Sequence, residues 1–194
     1  MTEPNRPTRG IQRGPRSIQV IESVRAATLA ELSRTGFAGL TIDAVAKAAG
    51  VSRPTIYRRW PSKAALLQAV VEPLLETYDA DPDTGSVTGD LLALMMLIRE
   101  NVARPEGHAM ITAATTGATE LRDLVRTANA RTLAAFHRAL QNAVERGELS
   151  PASDVPVIAH VLFQAVVMWE PAHGNPPSDP DLSRILTAVL TPTA

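Results

Sequence analysis

The side chains best equipped for chemistry in this chain fall in one short run: Arg53, Thr55, Tyr57, Arg58 and Arg59. Wound into a helix that starts after Ser52, they expose guanidinium, hydroxyl and phenol groups, while little beyond Ile56 is left to anchor the inner side. Scaffold explains such a face poorly. A surface for phosphate oxygens and base edges explains it well, because arginine and hydroxyl donors match both. Other chemistries find less support. The chain has no cysteine, so disulfides, zinc-thiolate sites and thiol nucleophiles are excluded. Its four histidines, at 108, 137, 160 and 173, include no pair at i, i+3 or i, i+4, so no metal site is expected. With no phosphate-cradling glycine loop, nucleophile elbow, metal box or paired-carboxylate motif, the sequence offers no catalytic residues and calls for no cofactor. A helical ligand-binding protein or enzyme without DNA binding is the competing reading, and it leaves the basic helix unexplained.

The charge distribution agrees. The formal net charge of −1 conceals a division: residues 1–63 hold 11 Lys/Arg against 4 Asp/Glu, a net of +7, and residues 64–194 hold 8 against 16, a net of −8. An anionic partner is therefore expected for the first third only.

Several elements must position the basic face. Residues 1–16 carry three prolines, two glycines and four arginines, and read as a disordered basic arm that either trails loosely or enters an adjacent minor groove. Ile21, Val24, Thr28 and Leu32 recur at helical spacing over Ser17–Thr35, and Gly36 stops that helix. Thr41 is a good N-cap, with Asp43 at the positive end of a helix over Ile42–Ala49. Gly50 stops this helix, Val51 plugs the turn, and Ser52 caps a helix over Arg53–Arg59 whose first turn accommodates Pro54. Two short helices about a glycine turn are a helix-turn-helix in outline. Trp60 reads as core or hinge packing. Ser62 caps a fourth helix carrying Leu66, Leu67, Val70, Val71, Leu74 and Leu75, which Pro73 should bend or shorten.

An acidic loop, Asp79–Gly89, then divides the chain. A helix from about Asp90 to Val102 follows, then one opened by Pro105, then a long one from about Thr119 to Arg146, roughly 42 Å at 1.5 Å per residue. Val155–Trp169 is apolar on nearly every side and so predicts a helix buried all round. Asp179 caps a last helix in which Leu182, Ile185, Leu186, Val189 and Leu190 repeat at helical spacing. The longest apolar stretch, Val161 to Trp169, is interrupted by Gln164 and is far short of the roughly 20 residues a membrane span needs. With no apolar leader, a soluble cytoplasmic protein is expected. Scarce β-branched runs and abundant Ala and Leu make the fold class all-α, with about nine helices: a three-helix helix-turn-helix domain at 17–63 and a helical ligand-binding and dimerisation domain at 64–194.

The run GFAGLTIDAVAKAAGVSRPTIYRRWPSKAALL, Gly36 to Leu67, resembles the DNA-binding signature of the tetracycline-repressor-like (TetR) family. Gly36-Phe37 stands ahead of Thr41, AVAKAAGVS spans Ala44 to Ser52, TIY spans Thr55 to Tyr57, and Pro61-Ser62-Lys63 opens the fourth helix. The resemblance implies that Arg53, Pro54, Thr55, Tyr57 and Arg58 face the major groove and that Thr41 and Lys63 sit at helix N-termini aimed at phosphates. Ser52 and Arg59 complete the candidate set. The sequence departs from the family pattern at Pro54, where glycine or alanine is frequent, and at Arg58-Arg59-Trp60, which replaces a tyrosine- or histidine-rich triplet ending in phenylalanine.

The resemblance further implies a repressor that binds a palindromic operator in double-stranded DNA and is released by a small-molecule effector held among the fourth to eighth helices. Met95, Met96, Met110, Phe136, His137, Phe163 and Trp169 suit such a cavity wall, although such apolar side chains are more often ordinary core and such a histidine is more often satisfied locally or exposed. Excess apolar surface on the last two long helices predicts a homodimer joined through Val155, Ile158, Leu162, Val166, Leu182, Ile185, Leu186 and Val189, two helices per subunit about a two-fold axis.

Overall fold

Helix starts and stops follow local side-chain chemistry along most of the chain. A computed structural model describes residues 15–79, 81–116 and 119–190. The expected basic arm lies almost wholly outside the described residues. Helix α1, Pro15–Gly39, begins slightly earlier than the apolar spacing suggests and is broken at Gly36, where φ is 63°. Helix α2, Ile42–Ala49, is capped by Thr41, whose Oγ1 accepts a 3.2 Å hydrogen bond from the Ala44 N–H. Gly50 ends it at φ 64°, a left-handed conformation in which a Cβ would be strained. That turn lets the Val51 N–H return to the Ala46 carbonyl at 3.0 Å, which aims the chain into α3, Arg53–Tyr57.

Helix α4, Lys63–Glu76, starts at Ser62, whose Oγ accepts from the Ala65 N–H at 3.1 Å, and it runs on through Pro73. Helix α5, Val87–Val102, begins three residues before the expected start because Ser86 caps it, accepting from the Gly89 N–H at 3.1 Å. Asp90 is consequently not a terminal residue in solvent but a buried one. Its carboxylate accepts from the Thr84 N–H and Oγ1, both at 2.8 Å, and from Arg146 at 3.0 Å. Helix α6, Pro105–Thr116, is opened by its proline as expected. A 3-10 turn at Thr119–Leu121 leads into α7, Arg122–Glu145, shorter at its start than the sequence suggests.

The apolar stretch expected to form one helix is two: α8, Val155–Val167, and a short α9, Trp169–His173. The last helix, α10, spans Asp179–Leu190, but its cap is Ser178, whose Oγ accepts from the Asp181 N–H at 3.3 Å. All regular structure among the described residues is thus helical, in ten α-helices rather than about nine. None of these helices is long and apolar enough to cross a membrane.

Helices α1, α2 and α3 form the N-terminal head, and α1 also packs on α4 and α6. In the rest of the fold α5 is central, touching α6, α7, α8 and α10. Leu91, Leu94, Met95 and Ile98 of α5 meet Phe136 and Leu140 of α7, Leu162 and Val166 of α8, and Leu182 and Leu186 of α10 in one apolar core. Arg131 of α7 binds both Glu72 and Asp79, and Arg138 binds Asp81 at 2.5 Å, so α7 is clamped to the far end of α4 and the acidic loop beyond it.

Candidate nucleic-acid interface

Helix α3 has one inner residue. Ile56 is fully buried, and Trp60, just past the helix, is 7% exposed and joins the same core, as expected for hinge packing. With those two side chains inward, Arg53, Pro54, Tyr57, Arg58 and Arg59 all face solvent, flanked by exposed Thr41 and Ser52. Tyr57 is 49% exposed, unusual for a large ring beside a core. The helix is shorter than expected: it closes at Tyr57, and the Arg59 and Trp60 N–H groups both return to the Ile56 carbonyl, at 2.9 and 2.8 Å. Ser52 stands in the cap position with extended backbone, yet its hydroxyl takes no helix N–H. It pairs instead with Thr55 Oγ1 at 2.8 Å, a second correction to the local reading.

The cations of this face differ in what already holds them. Arg53 Nε lies 2.6 Å from Asp43 Oδ1, an ion pair that ties α3 to α2 across the turn. Arg59 donates to Ser17 Oγ of α1 at 2.9 Å and sits 5.9 Å from the Trp60 ring centroid, so it braces α3 against α1. Lys63, at the start of α4, stands 4.7 Å over the Phe37 ring and 3.6 Å from Glu120 Oε1. The Arg58 side chain has no hydrogen bond or ion pair among the described residues. Its guanidinium is the one in this run with nothing to give up on meeting a phosphate or a guanine.

Deeper in the fold, α4 to α8 enclose a cavity of about 290 Å³. Of the side chains expected at a ligand wall, Met110 and Phe163 line it. The other five are elsewhere: Met95 and Phe136 are fully buried core, Met96 and His137 are half-buried off the cavity, and Trp169 stacks on His173 with ring centroids 4.2 Å apart. Residue type alone does not separate core from cavity wall, which is why these five do not line it. The wall also holds polar groups that sequence reasoning missed, among them Tyr78, Asn101, Asn129 and Gln164. Asn101 Nδ2 donates to the Tyr78 hydroxyl at 3.0 Å. Burial raises the Tyr78 pKa to about 12, against the smaller opposing effect of that hydrogen bond. One signal was available: Gln164 interrupts an otherwise apolar helix, and a polar group there needs a reason.

Comparison with known proteins follows the same division. The family profile described as Tetracyclin repressor-like, C-terminal domain matches residues 81–189, and that of bacterial regulatory proteins, tetR family, matches residues 24–70. The chain belongs to the TetR family. A DNA-binding transcriptional repressor TetR of Mycobacteroides abscessus is 31% identical over 169 residues, covering 85% of this chain and 88% of that one. An uncharacterized HTH-type transcriptional regulator of Mycobacterium tuberculosis is 29% identical over 194 residues, covering 97% and 93%. The crystal structure of a TetR family transcription regulator, 31% identical, superposes with a TM-score of 0.67 over 89% of this chain and 95% of its own. This TetR-family chain is therefore a DNA-binding transcriptional regulator with a helix-turn-helix head, and ligand-responsive repression is typical of its family.

The regulator's last helices are arranged differently from the sequence expectation. Leu162, Val166, Leu182 and Leu186, read as interface residues, are at most 2% exposed and belong to the protomer's own core. Val155, Ile158, Ile185 and Val189 are half-buried. Helix α8 is not buried all round: Val157 and Val161 are 54% and 43% exposed, with Met168 just beyond them at 42%. A helix apolar on every side carries no phase in its sequence, so only packing shows which stripe is left outside.

Proposed function

We propose that this regulator works in the cytoplasm as a homodimeric repressor that grips a near-palindromic operator and lets go when a small molecule fills the α4–α8 cavity. The observation that carries the reading is the α3 face: arginine, threonine and tyrosine side chains held outward by one buried isoleucine. In this reading Thr41, Ser52, Arg53, Pro54, Thr55, Tyr57, Arg58, Arg59 and Lys63 supply the contacts, Tyr57 and Arg58 to base edges and Lys63 to phosphate. Repression is favoured because a relative covering most of the chain is named a DNA-binding repressor, and steric blocking needs no contact with polymerase. No catalytic step is assigned to it.

Dimerisation is supported by Val157, Val161 and Met168, a solvent-facing apolar stripe on the α8 side of the fold, with the half-buried Val155, Ile158, Ile185 and Val189 beside it. Two-fold pairing would present two copies of α3 to successive major grooves, with half-sites about 34–36 Å apart or somewhat more. Residues 17–63 serve as the reading head and 64–194 as the regulatory body. Helix α4 links them: Lys63 lies at the DNA-facing end, and Val71, Leu74 and Leu75 of the same helix wall the cavity about 12–18 Å away at 1.5 Å per residue. A ligand that favours one position of α4 changes the separation of the heads, which is all that release requires.

Selection of bound DNA from a random duplex pool with purified protein tests the proposal. A palindromic winner whose affinity falls when Tyr57 or Arg58 is replaced is the expected result. No enrichment over several rounds, from folded protein, would overturn it.

A further inference from the structure

The cavity adjoins a second hollow, and the two differ sharply in charge. Ala114, Val125 and Asn129 line both, so the two hollows lie side by side and share this part of their walls. The inner chamber is walled by aliphatic, aromatic and neutral amide or hydroxyl side chains, without one charged residue. The outer hollow, about 590 Å³, is lined by Arg122, Arg126 and His160 and by no carboxylate. It sits in the half of the chain where Asp and Glu outnumber Lys and Arg two to one, 16 against 8.

Part of this polar lining lacks partners. Arg122 makes no ion pair or hydrogen bond among the described residues, and neither side-chain amide of Asn129 and Gln164 has a partner there. Arg126 is held only by Asp123 at 3.0 Å, a pair open to solvent on both sides. Both amides are half-buried, so water can satisfy them until a ligand takes its place. Asn129 lies on the wall of both hollows, and Gln164 on the inner one.

We infer that the effector is an amphipathic anion that spans both hollows: an apolar body in the inner one, a polar link at the shared Asn129, and a carboxylate or phosphate at Arg122 and Arg126. This rests on the ligand-release reading above and narrows it to a chemical class. Arginine recognises either anion through paired N–H donors, so the geometry names the charge and not the acid. An apolar body of modest size is implied, since about 290 Å³ lies at the small end of the roughly 300–1,000 Å³ typical of ligand pockets.

Calorimetric titration of the full-length protein with decanoate, decyl phosphate, decanol and decyltrimethylammonium, all below their micellar concentrations, tests this. Wild-type protein is expected to bind the two anions at least about tenfold tighter than decanol, as charge-assisted hydrogen bonds to arginine imply, and the cation least. Comparison of the two anions separates carboxylate from phosphate. The Arg122→Gln/Arg126→Gln variant should bind decanol as wild type does, keep its melting temperature, and lose the preference for anions. Equal binding of decanol and the anions by wild type, survival of the preference in the double variant, or binding of none of the four would overturn the inference. Parallel gel shifts on the selected operator separate it from ligand control as such. Release by decanol as readily as by decanoate would keep ligand control and sink the anionic class. Anion-selective binding with unchanged DNA affinity would do the reverse.

Discussion

Replacing Arg58 with alanine tests the recognition face directly, because Arg58 is the guanidinium in its run with no partner among the described residues. Its removal leaves no orphaned carboxylate and opens no cavity, so the fold should be indifferent. DNA should not be. If Arg58 reads a base edge, its loss costs about 1–3 kcal/mol in each half-site, roughly 5- to 150-fold per protomer, and relaxes specificity at one base pair in each half-site. If it neutralises a phosphate, each protomer also loses one term of about 0.9 in the slope of log affinity against log salt. For a dimer that is close to 1.8 in slope, or roughly a twelvefold smaller loss of affinity when salt rises fourfold. Fluorescence anisotropy on the selected operator, run across a salt series alongside a thermal melt, measures both quantities. A folded Arg58→Ala protein with wild-type affinity and slope would refute the claim that this face meets DNA.

Ile56→Ala should destabilise the head by about 2–5 kcal/mol, the usual range for emptying a fully buried aliphatic site, and a thermal melt reads this as a lower or separate transition. Glu120→Gln releases Lys63 from a partly exposed pair at 3.6 Å, so DNA affinity should rise by about 1.4- to 5-fold at low salt, from the 0.2–1 kcal/mol such pairs contribute, and the gain should fade as salt is added. Val157→Asp with Val161→Asp places charge on the exposed stripe of α8, and sedimentation should then find monomer where wild type sediments as dimer. Burial alone would raise the Asp90 pKa, but hydrogen bonds from Thr84 and Arg146 outweigh it and hold the carboxyl below its ordinary value of 3.8. Its stabilisation is therefore present above that value and lost as pH falls below it, so Asp90→Ala should lower the melting temperature at neutral pH and flatten the acid limb of the melting-temperature profile.

Local chemistry made most of the head legible before any coordinates. Thr41 and Ser62 cap helices because their hydroxyls reach an N–H three residues on, and Gly50 turns the chain because it alone enters left-handed backbone without strain. Each of these signals acts over fewer than five residues, so neighbours in sequence suffice to read it. The DNA-facing run was visible for the same reason: a five-residue helix with one apolar side has one way to sit. Where two candidate caps stood side by side, Ser178 and Asp179, the local reading chose the wrong one: Ser178 Oγ takes the Asp181 N–H and Asp179 is already inside the helix.

What the chain alone determined, then, is the head, the order of helices and the sign of each half's charge, all set by short-range backbone chemistry and composition. Only tertiary packing decided which stripe of α8 stays outside, that Lys63 is held by Glu120 far along the chain, and that Asn129 shares a hollow with two arginines beside an uncharged cavity. These depend on the relative rotation of helices distant in sequence. A pattern that is apolar all round, or a lone polar residue within it, does not encode that rotation until a neighbouring helix packs against one side.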